Sequence, residues 1–536
     1  MVRTTPGAGK MSIVTDTDLV VDTVYGPLRG TSTPSADLWL GVAYAARPTG
    51  PRRWRHAEPP RERGEVVDAR NYAPVSPQPV MQVIDLGPDA FANEDCLYLN
   101  VGTPRGVAGT DAGLPVMVWV HGGAYLCGSG SQPLYDPGSL IQSSVTRGTP
   151  TIVVTFNYRM GAFGFMDLSR FSSGDHVFQA NCGLSDVIAA LTWVRDNIER
   201  FGGDPGNVTL FGESAGAGIV TTLLASPAAK GLFHKAIAQS SPATTVYDAE
   251  RGERYANMLL AELPPEYVRA ADLRRTPALD LVNASSRIFN LVPNRFPGTI
   301  AFAPVVDGDL VPLDPLEAIV TGESHRVPLL IGTNRHETSL FRWMSTPLLP
   351  VKNQGVDAMF TLIGTERPGL RVPEPEFLDS SYQHVPAGAR SMAISRDIGF
   401  RMPAVWITES HAQVAPVYLY RFDWATPILR LLGYGAAHAT EVPYVWGNPA
   451  SSKRDPMYAL GGRATGEKVR HRMQYRWLGF AADGDPNTGE DGDAIWEAYE
   501  PMRHSSLLIG GTEDTPVEGL DDTILRAWGD EVLSFR

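Results

Sequence analysis

Asn207-Val208-Thr209-Leu210-Phe211-Gly212-Glu213-Ser214-Ala215-Gly216-Ala217 decides how this chain folds. The apolar run 207–211 has the character of a buried strand, and the small residues from Ala217 to Ala225 read as a helix. A serine between two glycines at the junction predicts a sharp strand-to-helix turn that presents its hydroxyl. Glycine two residues either side is needed where the crossing chains would otherwise meet a side chain. The helix start behind the serine offers free N–H groups and the positive end of a dipole. Ser214 is therefore the candidate nucleophile.

The runs Pro115–Val120 and Thr151–Phe156 are continuously apolar, as in a sheet covered on both faces. Leu184–Phe201 has helical spacing, with Val187, Leu191, Val194 and Ile198 on one stripe and charged residues between. Further strands are expected at Ala236–Gln239, Val327–Ile331 and Val417–Tyr420. Strands alternating with helices predict an α/β fold with a large, mostly parallel sheet flanked by helices. In such sheets the site lies at the carboxyl ends of the strands, where Ser214 falls.

The later strands are separated by about 80 residues, where a crossover needs about a dozen or more. The surplus, around 245–300 and 345–412, reads as helical cap elements that roof the site and exclude water. One catalytic domain over 21–536 is expected, with 1–20 a flexible tail. At 536 residues, 43% hydrophobic and 20% charged, the chain has ample material for one large core. A net charge of −13 argues against nucleic acid as a partner. The basic stretch Arg47–Arg63 is expected to be a solvated loop. No apolar run is long enough to span a bilayer, and the first residues lack a signal-peptide core, so a cytoplasmic protein is expected. Cys96, Cys127 and Cys182 fit neither a disulfide framework nor a metal site and are expected as buried free thiols.

A serine nucleophile needs a base, an acid and an oxyanion site. In this kind of sheet the acid and then the histidine follow the nucleophile. Of the eleven histidines, His384, His411, His438, His471 and His504 lie far enough downstream. His411 and His471 sit in helical patterns that read as solvated faces. His438 lies in the small-residue loop Gly433–Glu441 beyond a strand and is the candidate base. Glu337, just past Leu329–Asn334, is the candidate acid; it would accept the imidazole Nδ1–H and fix the tautomer. His336 is a rival base, although neighbours on extended chain point apart. His121-Gly122-Gly123-Ala124 directly follows the strand 115–120, so Gly122, Gly123 and Ala215 are the candidate oxyanion donors.

With these residues in place, the chain resembles the type-B carboxylesterases, α/β-hydrolases that include cholinesterases and bacterial para-nitrobenzyl-type esterases. The resemblance runs from about Val24 onward. It rests on Glu94-Asp95-Cys96-Leu97-Tyr98-Leu99-Asn100, on 121–124, on Phe201-Gly202-Gly203-Asp204-Pro205 through Gly216, on Gly332-Thr333-Asn334 with Glu337, and on His438 with Glu441. It implies the α/β-hydrolase fold, the triad Ser214, Glu337 and His438, and Ser240 and Glu441 as buried partners of that triad. It implies hydrolysis of small-molecule esters through an acyl-enzyme, with no cofactor and no metal.

Two departures refine this. Secreted members bridge the cysteine of the Glu-Asp-Cys motif to one upstream, whose place Ser76 takes here. Cholinesterases hold the choline cation on a tryptophan in the same loop, and 76–96 contains none, so choline esters are poor candidates. The roof with its apolar wall suits neutral, relatively apolar esters. An amidase, carbamate hydrolase or lactonase using the same triad, and a non-catalytic scaffold, are the alternatives. Phe341, Trp343, Phe400 and Trp406 are candidates for the pocket wall, although core packing is the first expectation for each taken singly.

Overall fold

The computed structural model describes residues 19–267, 269–344, 347–373, 378, 380–450, 455–487, 489 and 493–529. The expected tail thus lies, through residue 18, outside the described residues.

Side-chain alternation along Leu114–Val120 shows why a sheet forms here. Val116, Val118 and Val120 enter one hydrophobic core, while Met117 and Trp119 enter a second on the opposite face. A strand buried on both faces has no use for polar positions, and Ile152–Phe156 is likewise buried throughout. These strands lie in an eleven-stranded sheet among the described residues. Its middle is parallel, in the spatial order Ser506–Ile509, Val417–Phe422, Leu329–Asn334, Lys235–Gln239, Gly203–Glu213, Leu114–Val120 and Ile152–Phe156. Asp514–Val517 at one edge and Tyr98–Thr103, Asp37–Ala43 and Thr31–Ser32 at the other run antiparallel to their neighbours. The fold is that of an α/β-hydrolase.

Helices cover both faces. Cys182–Asn197 buries the stripe Val187, Leu191 and Val194, and Ala215–Leu224 is buried over its whole length behind Ser214. Ala249–Ala261, Ala278–Arg295 and Asn353–Glu366 arise in the long segments after Gln239 and Asn334. Met402–His411, at the end of the second segment, packs against strands Val417–Phe422 and Leu329–Asn334. Between Arg390–Arg396 and that helix the chain makes a π turn over Asp397–Arg401, a widened turn common where a helix serves a site.

Two local expectations are corrected. The basic stretch is not simply solvated: Arg53 is buried, donating through Nε to Glu94 Oε2 (2.7 Å) and through Nη1 to the Thr276 carbonyl (2.7 Å). It joins the Glu-Asp-Cys segment to the chain just before Ala278–Arg295, a contact across too much sequence for local composition to reveal. His411 is buried rather than on a solvated face, with Nε2 2.8 Å from the Val327 carbonyl and Nδ1 3.2 Å from Ser324 Oγ. All three cysteines are buried free thiols. Ser76 sits against Cys96 as a hydrogen-bond partner and accepts the Met160 N–H (3.1 Å).

Candidate active site

Five parallel strands end on one side of the sheet and deliver the site. Ser214 follows Gly203–Glu213, His121 follows Leu114–Val120, Ser240 follows Lys235–Gln239, and Glu337 lies three residues past Asn334. The loop beyond Val417–Phe422 carries His438.

Ser214 holds φ 55° and ψ −125°, a conformation rarely adopted by a residue with a side chain. Its N–H donates to the Gln239 carbonyl (2.9 Å), and its own carbonyl accepts the first helical N–H, from Gly218 (2.9 Å). The strain is held by the close crossing behind it: a Cβ on Gly216 would stand 2.1 Å from the Val120 carbonyl oxygen. Only glycine lets the two chains pass.

The side chains converge on one imidazole. His438 Nε2 lies 2.8 Å from Ser214 Oγ, and Nδ1 lies 2.6 Å from Glu337 Oε2. Glu337 Oε1 accepts from Ser240 Oγ (2.6 Å) and from the Asn334 backbone N–H (2.6 Å), so both carboxylate oxygens are engaged. An acceptor at Nδ1 fixes the tautomer that leaves Nε2 free to take the serine proton. Glu441 accepts from Gln239 Nε2 (3.1 Å) and from Asn334 Nδ2, and burial raises its pKa.

A third glutamate lies in the site itself. Glu213 is buried, its Oε1 is 3.2 Å from His438 Nε2, and its pKa is raised to about 8 by burial, with Glu441 and Glu337 adding to the rise against the opposing pull of His438. For His438 burial acts downward, but Glu213 and Glu337 outweigh it and bring the imidazole up to about 9.

The loop after Leu114–Val120 borders the serine. Gly123 has φ 119°, and a Cβ there would fall 1.8 Å from the Cys127 carbonyl oxygen. The turn is closed by the Leu126 and Cys127 N–H groups, both donating to the Gly123 carbonyl (3.0 and 3.1 Å). A Cβ on Gly122 would stand 3.2 Å from Ser214 Cβ, which places this backbone against Ser214. Ala215, as the first residue of its helix, has an N–H with no partner within the helix. His121 pins the loop from beneath: Nδ1 is 2.9 Å from the Gly122 carbonyl and the ring stacks on Tyr158 at 4.4 Å. Burial lowers its pKa to about 4, so it stays neutral. From the other side, the Gln78 amide donates to the Gly128 carbonyl (2.9 Å) and accepts the Gly128 N–H (2.7 Å).

Above Ser214 and His438 opens a largely apolar cavity. Met81, Val83 and Ile84 line it from the loop 76–96, Phe289 from Ala278–Arg295, and Met359 and Ile363 from Asn353–Glu366. Thr244, Thr245 and Tyr125 are neutral polar residues of its lining. Phe341 and Phe400 line it too, with Phe400 carried in by the π turn to 4.8 Å from the His438 ring. Trp343 and Trp406 do not: Trp343 is 63% exposed on the surface, and Trp406 is buried in the core. His336 lies off the site, with Nδ1 accepting the Ala436 N–H (3.3 Å). Glu337 opens a short 3-10 turn rather than continuing an extended segment, which is what turns the two neighbours apart.

Sequence reasoning passed over Glu213, Asn334, Gln239 and Gln78. Asn334 and Glu213 stood within motifs already singled out; Gln239 and Gln78 carried no local signal. The described residues contain no group of histidine, cysteine and acidic side chains that could hold a metal, and no helix long and apolar enough to cross a membrane.

The model of the carboxylesterase family matches residues 17–523. The chain is 36% identical over 500 residues to the para-nitrobenzyl esterase of Bacillus subtilis, covering 92% of this chain and 95% of that protein. It is 33% identical to the fumonisin B1 esterase of Sphingopyxis macrogoltabida, covering 96% of this chain and 91% of the relative. Among solved structures, a PNB esterase superposes with a TM-score of 0.80 at 33% identity, covering 96% of this chain and all of that one. A Geobacillus stearothermophilus carboxylesterase does so with a TM-score of 0.79 at 33% identity.

Proposed function

The chain belongs to the carboxylesterase family and is an enzyme that hydrolyses carboxylic esters, and from that premise we propose that Ser214, His438 and Glu337 are its catalytic triad. The observation that carries this reading is the pair of hydrogen bonds meeting on one imidazole, 2.8 Å to Ser214 Oγ and 2.6 Å to Glu337 Oε2. His438 Nε2 takes the Ser214 proton as Oγ attacks the ester carbonyl. The carbonyl π pair moves to oxygen, and the Gly122, Gly123 and Ala215 N–H groups stabilise that oxyanion. Collapse expels the alkoxide, which leaves as the alcohol with the proton from His438. Water then attacks the acyl-enzyme by the same route and frees the acid. Glu337 holds the ring and stabilises the imidazolium; Ser240 and Glu441 keep that acid and its surroundings in place.

We further propose that the substrates are uncharged esters with apolar groups on both sides of the bond. The mostly aliphatic and aromatic lining supports this, since an ionised substituent would lose its hydration against those walls. A cytoplasmic location is proposed on three buried, unbridged thiols, which suit a reducing compartment.

The test is turnover of a short-chain aryl ester by Ser214→Ala and His438→Ala. Each is expected to lose about 10⁴-fold or more in kcat with the fold intact. Substantial turnover by either would end the assignment of that residue.

A further inference from the structure

We propose that Asn334 is a positioning residue that sets the acid and the base of the triad against each other, a role that rests on the triad reading above. Asn334 is the last residue of the strand Leu329–Asn334 and is buried. From that fixed point it works in two directions. Its backbone N–H donates to Glu337 Oε1 (2.6 Å), the oxygen that does not face the imidazole. Its side-chain Nδ2 donates to the Ala437 carbonyl (2.7 Å), one residue before His438, and to Glu441 Oε2.

His438 rides on a loop that needs such a hold. Ala439 beside it has φ 64°, and among the described residues the Ala437 carbonyl otherwise accepts only from within the loop, from Thr440 N–H (3.2 Å) and Thr440 Oγ1 (2.7 Å). Those bonds shape the turn without fixing it to the sheet. Other links join the segments, His336 N–H to the Ala436 carbonyl (2.9 Å), Ala436 N–H to His336 Nδ1 (3.3 Å), Ser339 Oγ to the Tyr434 carbonyl (2.6 Å) and Arg342 Nη2 to the Leu432 and Gly433 carbonyls (3.2 and 3.3 Å), all further along the chain from the imidazole than Ala437. Asn334 is the anchor nearest His438 and touches the acid with the same residue.

The amide is specific to this task. Both acceptors of the NH2 group are oxygens, so a carboxylate of the same shape would repel where the amide donates. Glu441 is tied in turn to Gln239, whose carbonyl takes the Ser214 N–H and whose side-chain oxygen accepts from Trp477 Nε1 (3.0 Å). Nucleophile, base and acid are thereby referred to one buried network, with Asn334 at its centre.

The experiment is kcat per active site for Asn334→Ala, after the reactive serines are counted with a phosphonate run to completion. The expected result is a loss of roughly 10- to 100-fold in kcat per titrated site, with KM held within about two-fold, because misaligned groups slow chemistry without weakening substrate binding. A titrated site that turns over like the wild type overturns the proposal, however far the melting temperature or the titratable fraction falls. Asn334→Asp combined with Glu441→Gln covers failure of the alanine variant to fold. It keeps a donor and an acceptor between the two side chains but gives the Ala437 carbonyl nothing, so kcat per site stays low; recovery to the wild-type value overturns the proposal equally. His438→Ala measured alongside separates the two readings, since turnover by that variant removes the triad and not merely its positioning.

Discussion

Glu213 Oε1 lies 3.2 Å from His438 Nε2, the same nitrogen that faces Ser214 Oγ at 2.8 Å. A buried carboxyl therefore borders the proton in flight. Its anion favours the imidazolium, while the catalytic base must be neutral to accept from serine.

The pH dependence of kcat/KM follows from that relationship. With the imidazole held up to about 9, the rate on a neutral ester should climb with pH through a midpoint well above histidine's ordinary value. Glu213→Gln removes one of the anions that stabilise the imidazolium, so its midpoint should move down, extending activity toward neutral pH. A midpoint that stays put or moves up in Glu213→Gln would show that this carboxyl does not govern the base.

Stability should respond to the same proton with a definite sign. Glu213 is raised from 4.5 to about 8, so the folded protein keeps a proton that the unfolded chain releases in that window. The stabilisation is fully present below 4.5 and is lost as pH rises through about 8. Thermal melts should fall across that range, and Glu213→Gln should flatten the slope and melt higher at its upper end. Parallel curves for the two proteins would contradict this.

How much of the site is legible in sequence depends on how local each part is. The turn at Ser214 is written in Gly212 and Gly216, because the crossing that forbids a Cβ involves the strand immediately alongside. The apolar runs at 115–120 and 151–156 announce a sheet covered on both faces, and the strands Leu114–Val120 and Ile152–Phe156 stand there. Arg53 offers no such sign: its partners at Glu94 and Thr276 are distant in the chain, so a buried arginine passes for part of a basic loop. The large aromatic residues are ambiguous for a related reason. Size and apolarity alone cannot tell Phe400, turned into the cavity by a π turn, from Trp406, six residues on and facing the core.

Gly123→Ala tests the oxyanion loop. The new methyl cannot coexist with the Cys127 carbonyl at 1.8 Å, and φ 119° is strained for any side chain, so the turn must open. Losing one donor costs about 10²- to 10³-fold in kcat. The loss should appear mainly in kcat, while phosphonate still labels Ser214, slowly. A variant with normal kcat would place the oxyanion elsewhere.

Arg251→Ala tests how the cavity's outer wall is held. Arg251, on Ala249–Ala261, is 1% exposed and pairs with Glu366 at the end of Asn353–Glu366, while its guanidinium lies over the rings of Tyr247 (5.1 Å) and Tyr255 (5.7 Å). Deleting Arg251 removes the buried pair and the ring contacts and leaves Glu366 only the partly exposed Arg254 (3.4 Å) as an ion-pair partner among the described residues, so the variant should melt lower. The kinetic effect should be selective, because Met359 and Ile363 on the second helix line the cavity far along the chain from the reacting serine. KM should rise for bulky esters that press on that wall, with kcat on an acetate ester near the wild-type value. Equal losses on small and bulky esters would mean that the ion pair supports the catalytic centre rather than the wall.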